Sequence, residues 1–414
     1  MKKNFLYAAT AALLFTGAGF TSCSDDDDTY IPDGNAKIVV TNQTMLKDFV
    51  QSGTFDPIPT GQSVTITFNA GKGQGLMFAS MYGNSNDIFI APENAGIELF
   101  NENGTAVTGD VSGQLKLWDN GTRVNQAPGS NVTHPGTAET QPVTMIVDND
   151  REGHPYLAAS SLMKATLEYN STTSQFTLTL TNTSAGTANE TPFSRGVWVV
   201  SNMLDNELVN GEPFFIPGER APGQITTLAE AGNPEPLATW AAERTGIVTN
   251  FSAVVMVTYT GETNPIYQLN QPATAGLKTF SQTGNVDQLK AELERARNVR
   301  RVYIVGSDPV KPGEQAESLF EAYEGDHITF VVQFKNSNDW FYTNSQLISA
   351  THKGDVTAST VLLDSGSAVS QYPGAGNSQF VFGGTAIAEN NPVSAVGTMF
   401  PVPPVNEIIK VTLQ

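Results

Sequence analysis

Asn336-Ser337-Asn338-Asp339-Trp340-Phe341 decides the fold, because Asn84-Ser85-Asn86-Asp87-Ile88-Phe89 shares five of its six residues. The match runs backward without a gap to Gly61 and Gly313, through alternating apolar stretches at 64–68 and 328–334. Forward, after a seven-residue shortening, Gly109-Asp110-Val111-Ser112 pairs with Gly354-Asp355-Val356-Thr357, and Asp119-Asn120-Gly121-Thr122 with Asp364-Ser365-Gly366-Ser367. Pro128-Gly129 then matches Pro373-Gly374, and residues 162–167 match 408–413. Ordered matches at a nearly constant offset mean a duplicated fold.

The surrounding sequence gives the fold class. Charged residues are only 15% of the 414, Gly and Pro are plentiful, and Val and Phe recur in alternation. That is the texture of an all-β protein with many turns. Val64-Thr65-Ile66-Thr67-Phe68 alternates with period two and predicts a half-buried strand. Residues 76–81 are apolar throughout and predict a strand buried on both faces; residues 71–75 predict the turn between them. Residues 125–155 read as a long surface loop. Phe176 to Asn182 echoes Lys37 to Gln43 and is taken as the opening strand of the second copy. Residues 196–309 have no counterpart in the first copy on this reading. They carry short helical patterns at 226–231 and 236–243, and a clear amphipathic one at 286–297 with Asn285 as a possible N-cap.

The chain opens with Lys2 and Lys3, an apolar run at 5–15 and small residues before Cys23, which together read as a secretory signal. The run is too short to be a lasting membrane span. Phe20-Thr21-Ser22-Cys23 resembles a bacterial lipobox, in which Cys23 becomes the lipid-bearing first residue; an ordinary cleaved leader is the alternative. Ser24-Asp25-Asp26-Asp27-Asp28 resembles the surface-export tag of lipoproteins in Bacteroides-like bacteria. The expectation is a leader at 1–22, an acidic tether at 23–36, and an outer-membrane lipoprotein facing the cell exterior, held by its acyl chains. Cys23 is the sole cysteine, which excludes an intrachain disulfide and a thiolate metal cluster. A formal net charge of −19 argues against nucleic acid as a partner.

Six short motifs then follow in order: Gly211-Glu212-Pro213, Pro217-Gly218-Glu219-Arg220-Ala221, Leu228-Ala229-Glu230-Ala231-Gly232, Pro312-Gly313-Glu314, Asn338-Asp339-Trp340-Phe341 and Asp364-Ser365-Gly366-Ser367. On these the chain resembles the spondin N-terminal domain family. The resemblance covers 176–413 as a full domain and 37–167 as a trimmed one. It implies two related antiparallel β-sandwich domains, at 37–170 and 171–414, the second with a mixed α/β insertion at 196–309. It also implies a bound calcium ion and a role in adhesion or recognition. Carried over by position, the second copy offers Glu321, Asp339, Asp364 and the carbonyl of Tyr342. The first offers Asp87, Asp119 and the carbonyl of Ile90, with Asn69 in place of the glutamate. Where relatives often carry a further acid, this chain has Arg123 and Ala368, and Arg123 would repel a cation.

The residues alone leave a second reading open. Asp119 and Asp364 each stand two positions before a glycine amide's reach, as Asx-turn residues do. Trp340, Phe341, Trp118 and Trp198 read as core anchors. The four histidines, His134, His154, His327 and His352, are scattered, with no His-Glu-x-x-His spacing and no Gly-x-Ser-x-Gly elbow in the chain. Glu321 and Asp339 as a glycosidase pair cannot be chosen by spacing. The expectation is a binding module for an extracellular protein or glycan, not an enzyme. The alternative is an accessory or hydrolytic component of surface glycan utilisation.

Overall fold

The structure, a computed structural model, describes residues 34–414. The leader, Cys23 and the acidic run at 25–28 lie outside those residues. Strand accounts for 36% against 13% helix, so the chain is all-β, and its antiparallel sheets form two sandwiches. No helix among the described residues is long and apolar enough to cross a membrane.

The principal strands are, in chain order, β1 (Gly34–Asn42), β2 (Phe49–Phe55), β3 (Ser63–Asn69), β4 (Gly75–Met81), β5 (Ile88–Pro92), β6 (Leu115–Asp119), β7 (Thr144–Ile146), β8 (Met163–Asn170), β9 (Gln175–Asn182) and β10 (Gly196–Ser201). Helices α1 (Gly223–Ala231) and α2 (Glu235–Glu243) follow, then β11 (Val254–Tyr259), α3 (Ala275–Thr283), α4 (Asp287–Leu293) and β12 (Val299–Val305). The chain ends with β13 (Gln315–Ala322), β14 (His327–Gln333), β15 (Trp340–Asn344), β16 (Thr360–Asp364) and β17 (Ile409–Leu413).

The sandwich built from the middle of the chain, here the inner one, has a sheet ordered β3–β9–β8 ending on Gly109–Asp110, and a sheet ordered β2–β10–β4–β5–β6–β7. The outer sandwich repeats that order. One sheet is β13–β1–β17 ending on Gly354–Asp355; the other is β12–β11–β14–β15–β16 ending on Ser394–Ala395. The helix pairs correspond as well. The first pair packs α1 on β4 and β5 and α2 on β2; the second packs α3 on β14 and β15 and α4 on β12.

The two copies are therefore both complete, and their segments are interleaved. Strand β1 sits in the outer sandwich, where Ile38 pairs with Ser318 on one side and Leu413 on the other. Strand β9, its counterpart, sits in the inner one between β3 and β8. This departs from the expected division at residue 170 and from a trimmed first copy. Residues 196–309 are mixed α/β, but β10, α1 and α2 complete the inner sandwich, while β11, α3, α4 and β12 belong to the outer one. The inner sandwich is a circular permutation of the outer, inserted between its strands β1 and β11.

A tight hairpin explains the assignment. Asn170 lies opposite Gln175. Its Oδ1 accepts the Thr172 amide at 3.0 Å, and Ser174 takes a left-handed φ of 52°. The chain thus folds β9 directly back on β8, which fills the inner slot. The open slot between β13 and β17 is left to β1. There Ile38 and Val40 are fully buried, worth about 1.5–3 kcal/mol for each side chain. Where the permuted copy begins and ends, its termini are tied together: the Phe49 amide donates to Arg244 O at 3.0 Å, and the Gly246 amide to Phe49 O at 2.9 Å.

Three layers result in each unit. In β4, Leu76 and Phe78 face the core between the sheets, whereas Met77 and Ala79 face the helices. That is why this strand, like β14, is apolar on both faces. Helix α3 is capped by Thr274, whose Oγ1 accepts the Leu277 amide at 3.1 Å, and stops at Gly284 with φ 78°. Its sequence carries Leu277 and Phe280 on one buried face. Helix α4 stops at Leu293, short of the expected 297, and Asn285 Oδ1 accepts the Asp287 amide at 2.9 Å.

Candidate functional site

The duplicated hexapeptides occupy equivalent places, each leading into the fourth strand, β5 or β15, of the larger sheet of its sandwich. The serine sets the turn. Ser85 Oγ donates to Tyr82 O at 2.7 Å and accepts the Ile88 amide at 3.1 Å; Ser337 Oγ donates to Phe334 O at 2.7 Å and accepts the Trp340 amide at 2.9 Å. The aspartate then reaches across to the loop after the next strand. Asp87 Oδ2 accepts the amides of Thr122 and Arg123 at 2.9 and 2.8 Å, and Thr122 Oγ1 at 3.3 Å. Asp339 Oδ2 accepts the amides of Ser367 and Ala368 at 2.6 and 3.0 Å, together with Ser365 Oγ and Ser367 Oγ. Both carboxylates are fully buried.

The partner aspartates take the Asx-turn role. Asp119 Oδ1 accepts the Gly121 amide and Asp364 Oδ1 the Gly366 amide, each at 2.7 Å. Gly121 and Gly366 have φ of 74° and 67°, and a Cβ on either would meet a carbonyl oxygen, that of Gln141 or Asn391, within 2.5 Å. The sequence match is thus a match of turn chemistry. Burial, then repulsion from Asp119, pushes the Asp87 carboxyl up to about 7. The same two causes, with Asp364 as the neighbour, push Asp339 upward as well.

The set implied for calcium is not assembled. Ca²⁺ takes six to eight oxygens, several of them carboxylate. Glu321 lies on β13 in the other sheet, where Arg301 holds its Oε1 at 2.9 Å and the Tyr323 hydroxyl donates to its Oε2. No group of three His, Cys, Asp or Glu side chains converges among the described residues. At each turn one oxygen of the buried aspartate, Asp87 Oδ2 or Asp339 Oδ2, is taken by N–H and O–H donors, while its Oδ1 has no hydrogen-bond partner. Tyr342 lies on β15 itself, three residues after Asp339, its side chain buried against Phe251 and Phe334. In the first copy, Arg151 reaches Asp119 Oδ2 at 3.3 Å, and Asn69 is tied to Gln51 and Thr173. Arg123 turns away from the pair to Glu230 on α1 at 2.8 Å. The implied donor set is thus not gathered at one point, and the Asp pairs act as latches of their loops.

Trp340, Phe341 and Trp118 are core residues, as their sequence positions predict, while Trp198 is half-buried. The Trp340 indole N–H donates to Asp364 Oδ2 at 3.2 Å and to Ser370 Oγ at 3.0 Å, so the aromatic and acidic motifs hold each other.

Two concave surfaces lie elsewhere, on residues that, Asn336 apart, the sequence does not single out. The first is a groove of about 960 Å³ on the outer sandwich, between Val361 and Leu362 of β16 and the segment 394–405. Leu269 and Met399 on its walls are exposed, and none of its lining residues is charged. Strand β16 pairs with β15 along its full length, but on its other side only Leu363 and Asp364 find partners, Ala395 and Ser394. Val361 and Leu362 thus present an open edge to the groove. The second is a pocket of about 320 Å³ at the seam of the two sandwiches, formed by the hairpin after β10, by Asn250 and Lys335, and by Phe380 to Phe382.

The seam itself is fixed by side chain to main chain bonds. Gln74 Nε2 donates to Gly374 O at 2.8 Å, Gln371 Nε2 to Thr172 O at 3.0 Å, and the Asn377 amide to Ser174 Oγ at 2.9 Å. The chain matches no family model, and no curated protein is similar to it.

Proposed function

We propose that this chain is a surface-exposed outer-membrane lipoprotein with two spondin-like sandwiches, and that it works as a recognition module for an extracellular protein. The observation carrying this reading is the uncharged groove beside the open edge of β16. On a chain of net charge −19, a concave surface of this size without a charged side chain favours an apolar, uncharged partner segment. An extended segment of that kind adds a strand along Val361 and Leu362 through main-chain bonds, and seats alternate side chains against Val361, Leu269 and Met399. The lipid anchor at Cys23 holds the module at the cell surface.

The test is a binding screen of the purified 34–414 protein against immobilised matrix proteins, repeated with Leu269→Asp and Met399→Asp. Both positions are exposed, so both variants fold. Binding to at least one protein, weakened tenfold or more by each charge, supports the reading. A panel with no binder, or a binder indifferent to both charges, refutes it.

A further inference from the structure

We infer that the seam pocket is a carbohydrate site that takes one neutral pyranose unit of a glycan. It is separate from the groove on β16 and is built by both sandwiches. From the inner one comes the hairpin of Met203–Leu204 with Glu207–Leu208. Its tip residues Asp205 and Asn206 both take left-handed φ, 53° and 66°, a two-residue turn that places both side chains at the end of the ribbon. From the outer one come Asn250, Lys335 and the aromatic segment at 380–382.

The walls suit the two sides of a sugar ring. Phe380 is 51% exposed, although its ring borders the pocket, and Phe382 beside it rests on Gly71, where a Cβ would come within 2.7 Å of the ring. An open aromatic face of this kind covers the C–H side of a pyranose. The opposite wall is polar. Asn250 is buried; its Nδ2 donates to Asp205 Oδ1 at 2.8 Å, and its Oδ1 has no partner. Asp205, Asn206 and Asn336 add acceptors and amide donors at the rim.

The charges determine which sugar. Lys311 holds Asp205 Oδ2 at 2.7 Å, and Lys335 is paired with Asp308. The Lys311 ammonium and the Asn250 amide keep Asp205 below the usual carboxylate range, so it stays ionised and paired. Each charge at the pocket is thus balanced within the protein, and neither a carboxylated nor an aminated ring gains a free counter-charge. A volume of about 320 Å³ sits at the low end for small-ligand sites, about 300–1,000 Å³, which matches a single ring with its linkage entering solvent.

The experiment uses the 34–414 protein with the methyl glycosides of glucose, galactose, mannose and N-acetylglucosamine, their short oligomers, and a uronic-acid oligomer. Saturation-transfer NMR detects binding and calorimetry ranks it. We expect at least one neutral probe to bind, the uronic-acid oligomer to bind more weakly, and Phe380→Ala and Asp205→Asn each to weaken the neutral probe tenfold or more. Leu269→Asp should leave sugar binding unchanged, which separates this site from the groove. Circular dichroism melting checks that both pocket variants fold; Phe380→Ala, at an exposed position, keeps the test valid if Asp205→Asn does not. The inference fails if no neutral probe binds, if Phe380→Ala binds as well as the parent, or if the acidic oligomer is preferred.

Discussion

Asn42 and Asn182 make the same three hydrogen bonds in the two sandwiches. Asn42 Nδ2 donates to Thr249 O at 2.9 Å and to Val310 O at 3.0 Å, while its Oδ1 accepts the Thr44 amide at 3.0 Å. Asn182 Nδ2 donates to Thr191 O at 2.7 Å and to Ile58 O at 3.0 Å, and its Oδ1 accepts the Ser184 amide at 3.0 Å. Each asparagine ends the strand that the copies have exchanged. In the outer sandwich, it ties chain from before the insertion to chain from after it.

Asn42→Ala should therefore destabilise the outer sandwich. It removes a buried amide and leaves the Thr249 carbonyl and the Thr44 amide without that partner, at about 1–3 kcal/mol for each buried polar group left unmet. Urea unfolding followed by near-ultraviolet dichroism measures the loss. A change under about 0.5 kcal/mol, the scale of a neutral surface substitution, would show that this joint carries no weight.

Removing residues 34–42 should strip the outer sandwich of a central strand and leave the inner one whole. Hydrogen exchange read by mass spectrometry should then show lost protection in 315–322 and 409–413, with 163–182 as protected as in the parent. The opposite pattern, with β8 and β9 exposed, would mean that β1 belongs to the inner sandwich after all.

The buried aspartates predict a stability that falls as pH rises. An acid whose folded pKa is raised above its unfolded value favours the fold while both states are protonated. It loses that contribution as pH climbs through the folded value. For Asp87 the window runs from its ordinary value of 3.8 to about 7, a difference worth up to about 4 kcal/mol at 1.36 kcal/mol per pH unit. Asp339 moves the same way. Asp110, Asp205 and Asp355 are lowered instead and titrate below this window. Unfolding free energy should drop between pH 4 and pH 8, and the double variant Asp87→Asn with Asp339→Asn should flatten that drop. A double variant with the parent's full pH slope would show that other groups set it.

Calcium should do little to melting. A site filled at a hundredfold excess over its dissociation constant adds about 2.7 kcal/mol. With Glu321 held by Arg301, and with Asp87 Oδ2 and Asp339 Oδ2 taken by amides, that increment is expected to be missing. Scanning calorimetry with calcium and with chelator checks it. A clear rise in melting temperature, abolished by Asp339→Asn, would restore the metal reading.

Much of this was legible from residue patterns, and the misses have physical causes. The period-two alternation of 64–68 and the apolar run of 76–81 gave strands in the right places, because side-chain burial follows the pleat. The hexapeptide match held because it encodes a turn: Ser85 and Ser337 make identical bonds. What the pattern could not express was ownership. Ile38 and Val40 alternate as Phe176, Leu178 and Leu180 do, and either strand suits either slot. The β8–β9 hairpin decided between them, and that is a property of connectivity. The permuted order then hid β10, α1 and α2 as partners of β11, α3 and α4, since a linear comparison pairs segments in sequence order. The seam pocket was invisible for a similar reason: hairpin, Asn250 and Phe380 meet only after both sandwiches dock. Glu321 was placed by position alone, and its strand lies in the opposite sheet.

The interleaving also sets a path for force. Strand β1 begins the described chain and lies between β13 and β17, antiparallel to both. A pull on the chain ahead of Gly34 runs along the length of that strand, so the hydrogen bonds to its two neighbours are loaded together in shear and do not peel one at a time. Tension applied there, against a partner held at the groove or the seam, is met first by the ladder of the outer sandwich. The inner sandwich, whose ends are stapled at Phe49 and Gly246, lies within a closed loop of the fold and is shielded until β1 slides out.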